Sequence, residues 1–225
     1  MIEENLHKIQ KELPPDVKLV AVSKFHPLET IVEAAGAGQL RFGESRPQEF
    51  QKKVLALEEE HPDLAGRLEW HFIGHLQTNK LKMVLPYASL IQSIDSLHLL
   101  QAVDGWGKTA QKTVNVLLEL HIGAEKTKQG FVEEEALDIL FNASRYANVR
   151  FCGLMGMASH SDDEEDIRAD FSRISSFFAY CRDLFPELES FRELSIGMSG
   201  DWRIALEYGA TMVRIGTAIF GPRQY

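Results

Sequence analysis

The sequence predicts an α/β fold: a single (β/α)8 barrel of the TIM type with one additional helix at the N-terminus. Strand-like and helix-like segments alternate along the whole chain, which is typical of a parallel sheet whose strands are joined by helices. A doubly wound sheet also fits this alternation, but eight strand-like segments in one unbroken series favour a closed barrel. No Gly-, Ser- or Pro-rich linker interrupts the series, so we expect residues 1–225 to form one domain.

The strand candidates are short apolar segments bounded by Gly, Ser, Asp or Asn. They are residues 18–24, 40–45, 68–74, 89–95, 114–122, 149–157, 192–199 and 211–221. Helical periodicity appears between them. The clearest examples are residues 26–38, 47–61, 133–146 and 165–185, and residues 2–13 predict the additional N-terminal helix. The acidic segment 161–170 predicts a helix start, because Ser161 and Glu164 have the spacing of a capping box.

Composition excludes several classes of protein. The hydrophobic share of 44% is ordinary for a globular domain, and it excludes both disorder and a disulfide-stapled miniature. The formal charge is −9, so a general nucleic-acid binder is not expected. Cys152 and Cys181 predict two buried or half-buried thiols. Because no signal peptide and no long apolar run are visible, we expect no membrane contact and a cytoplasmic protein.

Lys24 is the first candidate functional residue. It ends the first strand-like segment, and functional residues of such barrels lie at the carboxyl ends of the strands. Partial burial there favours the neutral amine, which can form a Schiff base with an aldehyde. The alternative is a lysine that reaches solvent at the rim or pairs with Glu44.

The turns after the seventh and eighth strand candidates indicate an anion site. Small residues there let backbone N–H groups approach a phosphate, and Ser199 and Thr217 add hydroxyl donors. Residues 217–220 can supply one helical turn. Ordinary turn chemistry explains the same glycines equally well. No metal site is expected, because His71 and His75 lie in a strand and a turn rather than on one helix face.

Several motifs together resemble the pyridoxal phosphate homeostasis protein family, small barrels that bind pyridoxal 5'-phosphate (PLP) and are related to the N-terminal domain of alanine racemase. The resemblance covers about residues 18 to 221. Its motifs are AVSK, FGESRPQE, WHFIGHLQTNK, EKTKQG, GLMGM and LSIGMSGDWRIALEYGATMVRIGTAIFG.

The resemblance implies a role for individual residues. It makes Lys24 the PLP-bearing lysine, Ser199 a phosphate ligand, and Arg214, Gly216 and Thr217 the turn that completes the cofactor site. It further implies that Arg214 faces the pyridine nitrogen, where a cation weakens the electron sink of PLP.

Two other positions stand apart from these assignments. Ser45 stands where the family usually has Asn, so we leave it outside the main set. Lys128 is a second amine that could react with PLP.

The favoured hypothesis is therefore a PLP-binding protein that holds PLP on Lys24 and acts in intracellular PLP homeostasis and delivery with little or no turnover. Apo forms of PLP-dependent enzymes are candidate partners, and the resemblance suggests a monomer. The alternative is a racemase of the alanine racemase type, which would need a second domain, whereas only four residues follow Gly221. A Schiff-base aldolase is a third hypothesis, but only Glu44 is an evident acid–base neighbour of Lys24.

Overall fold

Eight parallel strands close into a barrel with the order β1-β2-β3-β4-β5-β6-β7-β8. The structure is a computed structural model that describes residues 1–123, 129–161 and 163–222. The strands are β1 Lys18–Val22, β2 Arg41–Glu44, β3 Glu69–Phe72, β4 Leu90–Ile94, β5 Val114–Leu120, β6 Val149–Gly156, β7 Glu193–Ser195 and β8 Met212–Ile215. Each lies within a strand candidate from the sequence, so the predicted (β/α)8 barrel is confirmed.

Helices surround the barrel. They are α1 Ile2–Glu12, α2 Leu28–Gly36, α3 Pro47–Glu60, α4 Pro62–Ala65, α5 Leu81–Val84, α6 Leu97–Ala110, α7 Glu133–Phe141, α8 Glu164–Leu184, α9 Trp202–Glu207 and α10 Thr217–Phe220. The additional helix α1 is confirmed, and Asn5 Nδ2 ties it to the last helical turn by donating a hydrogen bond to the Ile219 carbonyl at 3.0 Å.

The acidic segment begins a helix as predicted, but the cap differs from the expected one. Helix α8 starts at Glu164, and the Asp163 carboxylate accepts a hydrogen bond from the Glu165 N–H at 3.0 Å. The Ser161 hydroxyl instead accepts from the Asp163 N–H at 3.1 Å. Ser161 lies two residues before the N-cap Asp163, so it supports the capping residue rather than the helix itself.

Apolar side chains form two separate layers. The larger one packs between the sheet and the helices. The smaller one fills the barrel interior and consists of Val20, Leu90, Leu117, Met155 and Met212. Residues two positions apart in a strand face the same side of the sheet. Two residues after Leu90, Leu117 and Met212, the strands carry Gln92, Glu119 and Arg214, which are all buried. The interior therefore changes from apolar to polar toward the carboxyl ends of the strands.

Both cysteines are free thiols; Cys181 is buried and Cys152 is half-buried, as the sequence predicts. Within the described ranges, no helix is both long enough and apolar enough to cross a membrane.

Candidate functional site

A cavity of about 260 Å³ opens where β1, β7 and β8 end. The five residues that the resemblance assigns to the cofactor site all line it, and they are Lys24, Ser199, Arg214, Gly216 and Thr217. Lys24 follows the first strand, β1, whereas the other four residues lie near the C-terminal end of the chain. Closure of the barrel makes β1 the hydrogen-bonded neighbour of β8, which brings the two ends of the sequence together at one opening.

Lys24 lies two residues after the end of β1 and is half-buried. The residue after it, Phe25, has a φ of 66°, a left-handed conformation that is uncommon for a bulky residue. Glu44, the neighbour considered for Lys24, is completely buried. One of its oxygens lies 2.7 Å from Lys53 Nζ and 2.7 Å from Ser23 Oγ. Burial raises the pKa of Glu44, although the Lys53 charge opposes this rise.

Ser199 and Gly216 join the last two turns of the barrel. The Gly216 N–H donates a hydrogen bond to Ser199 Oγ at 3.2 Å, and Thr217 starts the short helix α10 beside them. Gly216 also lies close to β1: a side chain there would place its Cβ 3.1 Å from the Val22 carbonyl. The result is a compact group of hydroxyl and amide groups at one wall of the cavity.

Arg214 projects from β8 into the barrel and is only 4% exposed. Its NH1 donates to the carbonyl and the hydroxyl of Ser195 at 2.8 and 2.7 Å, and its NH2 donates to the Gly156 carbonyl at 3.0 Å. Burial lowers the pKa of Arg214 to about 10, while the charges of Glu119 and Asp201 oppose this effect. The guanidinium therefore remains protonated at neutral pH.

A chain of buried hydrogen bonds extends from Arg214 across the barrel. The Ser195 hydroxyl donates to Gln92 Oε1 at 2.7 Å, and Gln92 Nε2 donates to His71 Nδ1 at 2.8 Å and to Met212 Sδ at 3.0 Å. Burial lowers the pKa of His71 to about 3, assisted by the charges of Arg41 and Lys18. A neutral ring can accept the hydrogen bond from Gln92.

Three buried interior residues, Gln92, Ser195 and Glu119, were not among the candidates from the sequence. A signal was present, because Gln92, Ser195 and Glu119 interrupt otherwise apolar strand segments at buried positions. A polar residue on an inward face needs a partner. However, the identity of that partner depends on strands that are distant in the sequence.

Glu119 lies in the same polar layer and lines a second cavity of about 250 Å³, which shares Met157 and Met198 with the first. Its side chain is 2% exposed, and Oε2 has no hydrogen-bond partner among the described residues. Burial raises the pKa of Glu119 to about 7, with a further rise from Asp95 and an opposing effect of Arg214 and His75. Glu119 is thus a carboxyl group that titrates near neutral pH.

The remaining candidates lie elsewhere. His71 bonds to Gln92 inside the barrel, whereas the exposed His75 contacts Asp95 Oδ2 at 2.8 Å. In the described part of the chain no group of three or more His, Cys, Asp or Glu residues is arranged to hold a metal ion. Ser45 is half-buried and is not among the residues that line the first cavity. Lys128 lies outside the described residues.

Comparison with known proteins gives matches over nearly the whole chain. The family model for the alanine racemase N-terminal domain matches residues 1–224. A pyridoxal phosphate homeostasis protein of Vibrio alginolyticus is 36% identical, with 100% of this chain and 98% of the relative covered. One from Aquifex aeolicus is 40% identical over 92% of this chain and 88% of its own.

Solved structures show the same relationship. PipY of Synechococcus elongatus with PLP bound is 34% identical, with a TM-score of 0.88 and coverage of 98% of this chain and 100% of PipY. PipY without PLP gives a TM-score of 0.90 at 35% identity, with the same coverage. An alanine racemase of Clostridium difficile is 14% identical, with a TM-score of 0.75. This chain covers 57% of that racemase, which shows a shared barrel fold.

Proposed function

The chain belongs to the alanine racemase N-terminal domain family and, within it, to the pyridoxal phosphate homeostasis proteins, and we propose on this basis that it binds PLP at the mouth of its barrel. The observation that carries the proposal is that an amine, two hydroxyl groups and a guanidinium line one cavity, contributed by Lys24, Ser199, Thr217 and Arg214. PipY, which shares the fold over nearly the whole chain, has been solved with PLP bound.

The residues present fit the chemical groups of PLP. A phosphate ester is held by hydroxyl and backbone N–H donors at the ends of the last two barrel strands, and Ser199, Gly216 and Thr217 supply donors of this kind at that place. The Gly216 N–H donates to Ser199 Oγ, so this N–H points toward the hydroxyl group that we propose as a phosphate ligand. When bound, PLP supplies an electrophilic aldehyde and an electron-accepting ring.

Lys24 is the residue we assign to covalent attachment as a Schiff base. Its neutral amine would bond to the aldehyde carbon, and the carbonyl oxygen would leave as water when the C=N bond is complete. Lys24 follows β1 and lines the wall of the cavity, where its side chain is half-buried.

Arg214 supports the proposal that the protein holds the cofactor with little or no turnover. Its guanidinium is buried, and its pKa of about 10 keeps it charged at neutral pH. A fixed cation next to the pyridine nitrogen disfavours protonation of that nitrogen and weakens carbanion stabilisation. Ser195 and Gly156 hold the guanidinium at three acceptors, so the cation cannot easily leave this position.

The test of the proposal combines visible absorbance, borohydride reduction and peptide mapping by mass spectrometry. We expect PLP to give a Schiff-base band and one reduced adduct on Lys24, and we expect Lys24→Ala to lose both. Lys52→Ala, at an exposed position of α3, is the matched control and should label as the wild type does. A Lys24→Ala protein that retains the band and the adduct would refute the assignment.

A racemase assay separates holding from turnover. We expect at most feeble racemisation of alanine. Saturable turnover at an ordinary enzymatic rate, of about 1 s⁻¹ or more, that depends on Lys24 would overturn the assignment as a non-enzyme.

Delivery completes the proposed function: a cytoplasmic monomer that passes PLP to apo forms of PLP-dependent enzymes. The names of the relatives support a role in homeostasis rather than in one reaction. Reactivation of a PLP-dependent apo-enzyme by the loaded protein should proceed in the presence of a scavenger of free PLP. Reactivation that the scavenger abolishes would contradict direct delivery. Light scattering of the loaded protein tests the monomer.

A further inference from the structure

Lys53 forms a buried cluster directly beneath the turn that carries Lys24. It projects from α3 and is 7% exposed. Its Nζ lies 2.8 Å from the Ser23 carbonyl, 2.7 Å from Glu44 Oε1 and 2.7 Å from Glu49 Oε1. Three acceptors match the three N–H donors of an ammonium group.

The cluster holds both neighbours of Lys24. On one side, the Ser23 carbonyl accepts from Lys53, and the Ser23 hydroxyl donates to Glu44 Oε1 at 2.7 Å. On the other side, the Phe25 N–H donates to Glu49 Oε1 at 2.6 Å. The backbone on either side of Lys24 is thereby fixed by side chains from β2 and α3.

The turn requires such support. Phe25 has a φ of 66°, a conformation that side chains other than Gly adopt at a cost in free energy. The Arg46 guanidinium lies 4.2 Å from the centre of the Phe25 ring and adds a contact from outside. Strained backbone of this kind persists only where the surrounding structure holds it, and it stands immediately after the lysine assigned to PLP.

The cluster also accounts for the segment FGESRPQEFQKK. Pro47 starts α3 directly after β2, so Glu49 and Lys53 lie four residues apart on one helix face. That face is directed toward the completely buried Glu44 at the end of β2. Three charged residues of this segment, Glu44, Glu49 and Lys53, therefore meet at one place in the fold.

We infer that Lys53 is a positioning residue for Lys24, acting with Glu49 to hold the turn in the conformation that presents the Lys24 amine to the cavity. This inference rests on the proposed function, because it concerns the attachment of PLP to Lys24. A buried ion pair seldom stabilises a fold better than apolar residues of similar size. Its location around Lys24, rather than its contribution to stability, is what points to a role at the site.

Lys53→Met tests the inference, and Lys18→Met is the matched control. Lys18 begins β1, at the opposite end of the strand from Lys24, and pairs with Glu193. Non-covalent binding of PLP and the rate of adduct formation with borohydride are measured separately. We expect Lys53→Met to lower the rate of adduct formation about tenfold to a hundredfold, as misplacement of a reacting group by about 1 Å does. The dissociation constant of PLP, measured before borohydride is added, should change less than about threefold. Lys18→Met should leave both unchanged.

A second variant guards against misfolding. Glu49→Ala removes the acceptor of the Phe25 N–H at a position with a 22% exposed side chain, where substitution is better tolerated than at Lys53. We expect faster hydrogen exchange at the Phe25 amide, without PLP, together with slower adduct formation on Lys24 when PLP is added.

The outcomes distinguish this inference from the proposed function. An adduct that does not depend on Lys24 in the wild type refutes the proposed function and, with it, the inference. A wild-type adduct on Lys24 with unchanged rates in a folded Lys53→Met protein and in Glu49→Ala refutes the inference alone. Equal losses in Lys18→Met also refute it, because they would show a general effect of stability.

Discussion

Arg214 NH1 donates a hydrogen bond to the Ser195 hydroxyl at 2.7 Å, and both groups are buried in the barrel. The same Ser195 hydroxyl donates a hydrogen bond to Gln92 Oε1 at 2.7 Å. A hydrogen bond with a charged partner is stronger than a neutral one. Arg214, which we propose to face the pyridine nitrogen of PLP, is thus oriented by Ser195, a residue that does not line the cavity.

Ser195→Ala should therefore destabilise the protein. The substitution removes one acceptor of a buried guanidinium and one donor to Gln92, and we expect a loss of about 1–3 kcal/mol in the free energy of unfolding. Urea unfolding measures it. Thr109→Ala, which removes an exposed hydroxyl bonded to the Gly105 carbonyl, should change the free energy by less than about 0.5 kcal/mol. Equal effects of the two variants would contradict a structural role of the buried chain.

Glu119→Gln should change how stability depends on pH. The pKa of Glu119 is about 7 in the folded protein, against an ordinary value of 4.5, so the folded state binds the proton more tightly than the unfolded state. The neutral Glu119 therefore contributes to the free energy of unfolding below pH 4.5, and this contribution is lost as pH rises through about 7. Because Gln carries no charge, the variant should gain up to about 3 kcal/mol over the wild type at pH 8. Urea unfolding at pH 5 and at pH 8 measures the free energy of unfolding of both proteins. The same difference between variant and wild type at the two pH values would show that Glu119 is not a buried carboxylate that ionises in this range.

Ser199→Ala should weaken PLP binding with little effect on folding. The variant loses a hydroxyl donor, and the Gly216 N–H loses its acceptor. We expect about a tenfold higher dissociation constant, which corresponds to about 1.4 kcal/mol, and a change in unfolding free energy within about 1 kcal/mol. Absorbance titration with PLP measures the affinity, and Thr217→Val provides a second hydroxyl deletion in the same cavity. Wild-type affinity in both variants would place the phosphate elsewhere.

Two glycine substitutions should have opposite effects. Gly153 has a φ of 146°, and a Cβ there would lie 1.8 Å from the Glu193 carbonyl of the paired strand β7. Gly153→Ala should cost about 3 kcal/mol or more. Gly105 lies within α6 and a Cβ there meets no atom within 4 Å, so Gly105→Ala should stabilise the protein by about 0.5–1 kcal/mol. Thermal unfolding of both variants tests the pair.

The order of strands and helices could be predicted from the sequence because it is a local property. Apolar segments and the helical periodicity between them are visible within windows of a few residues, and their strict alternation leaves few architectures. The barrel then implies that Lys24, Ser199 and Gly216 share one face, since all strands end there. That expectation is met by the cavity that they line. The cap of α8 was wrong by two residues because Ser161 and Asp163 offer similar capping chemistry.

The sequence by itself determined the fold, the family and the residues at the barrel mouth. Only the tertiary structure decided which buried polar groups meet: Arg214 with Ser195 and Gln92, and Lys53 with Glu44 and the turn around Lys24. It also left Glu119 Oε2 without a partner among the described residues. The physical reason is that periodicity reports the direction in which a side chain points. The distance between two side chains from strands far apart in sequence arises only when the barrel closes and the interior packs.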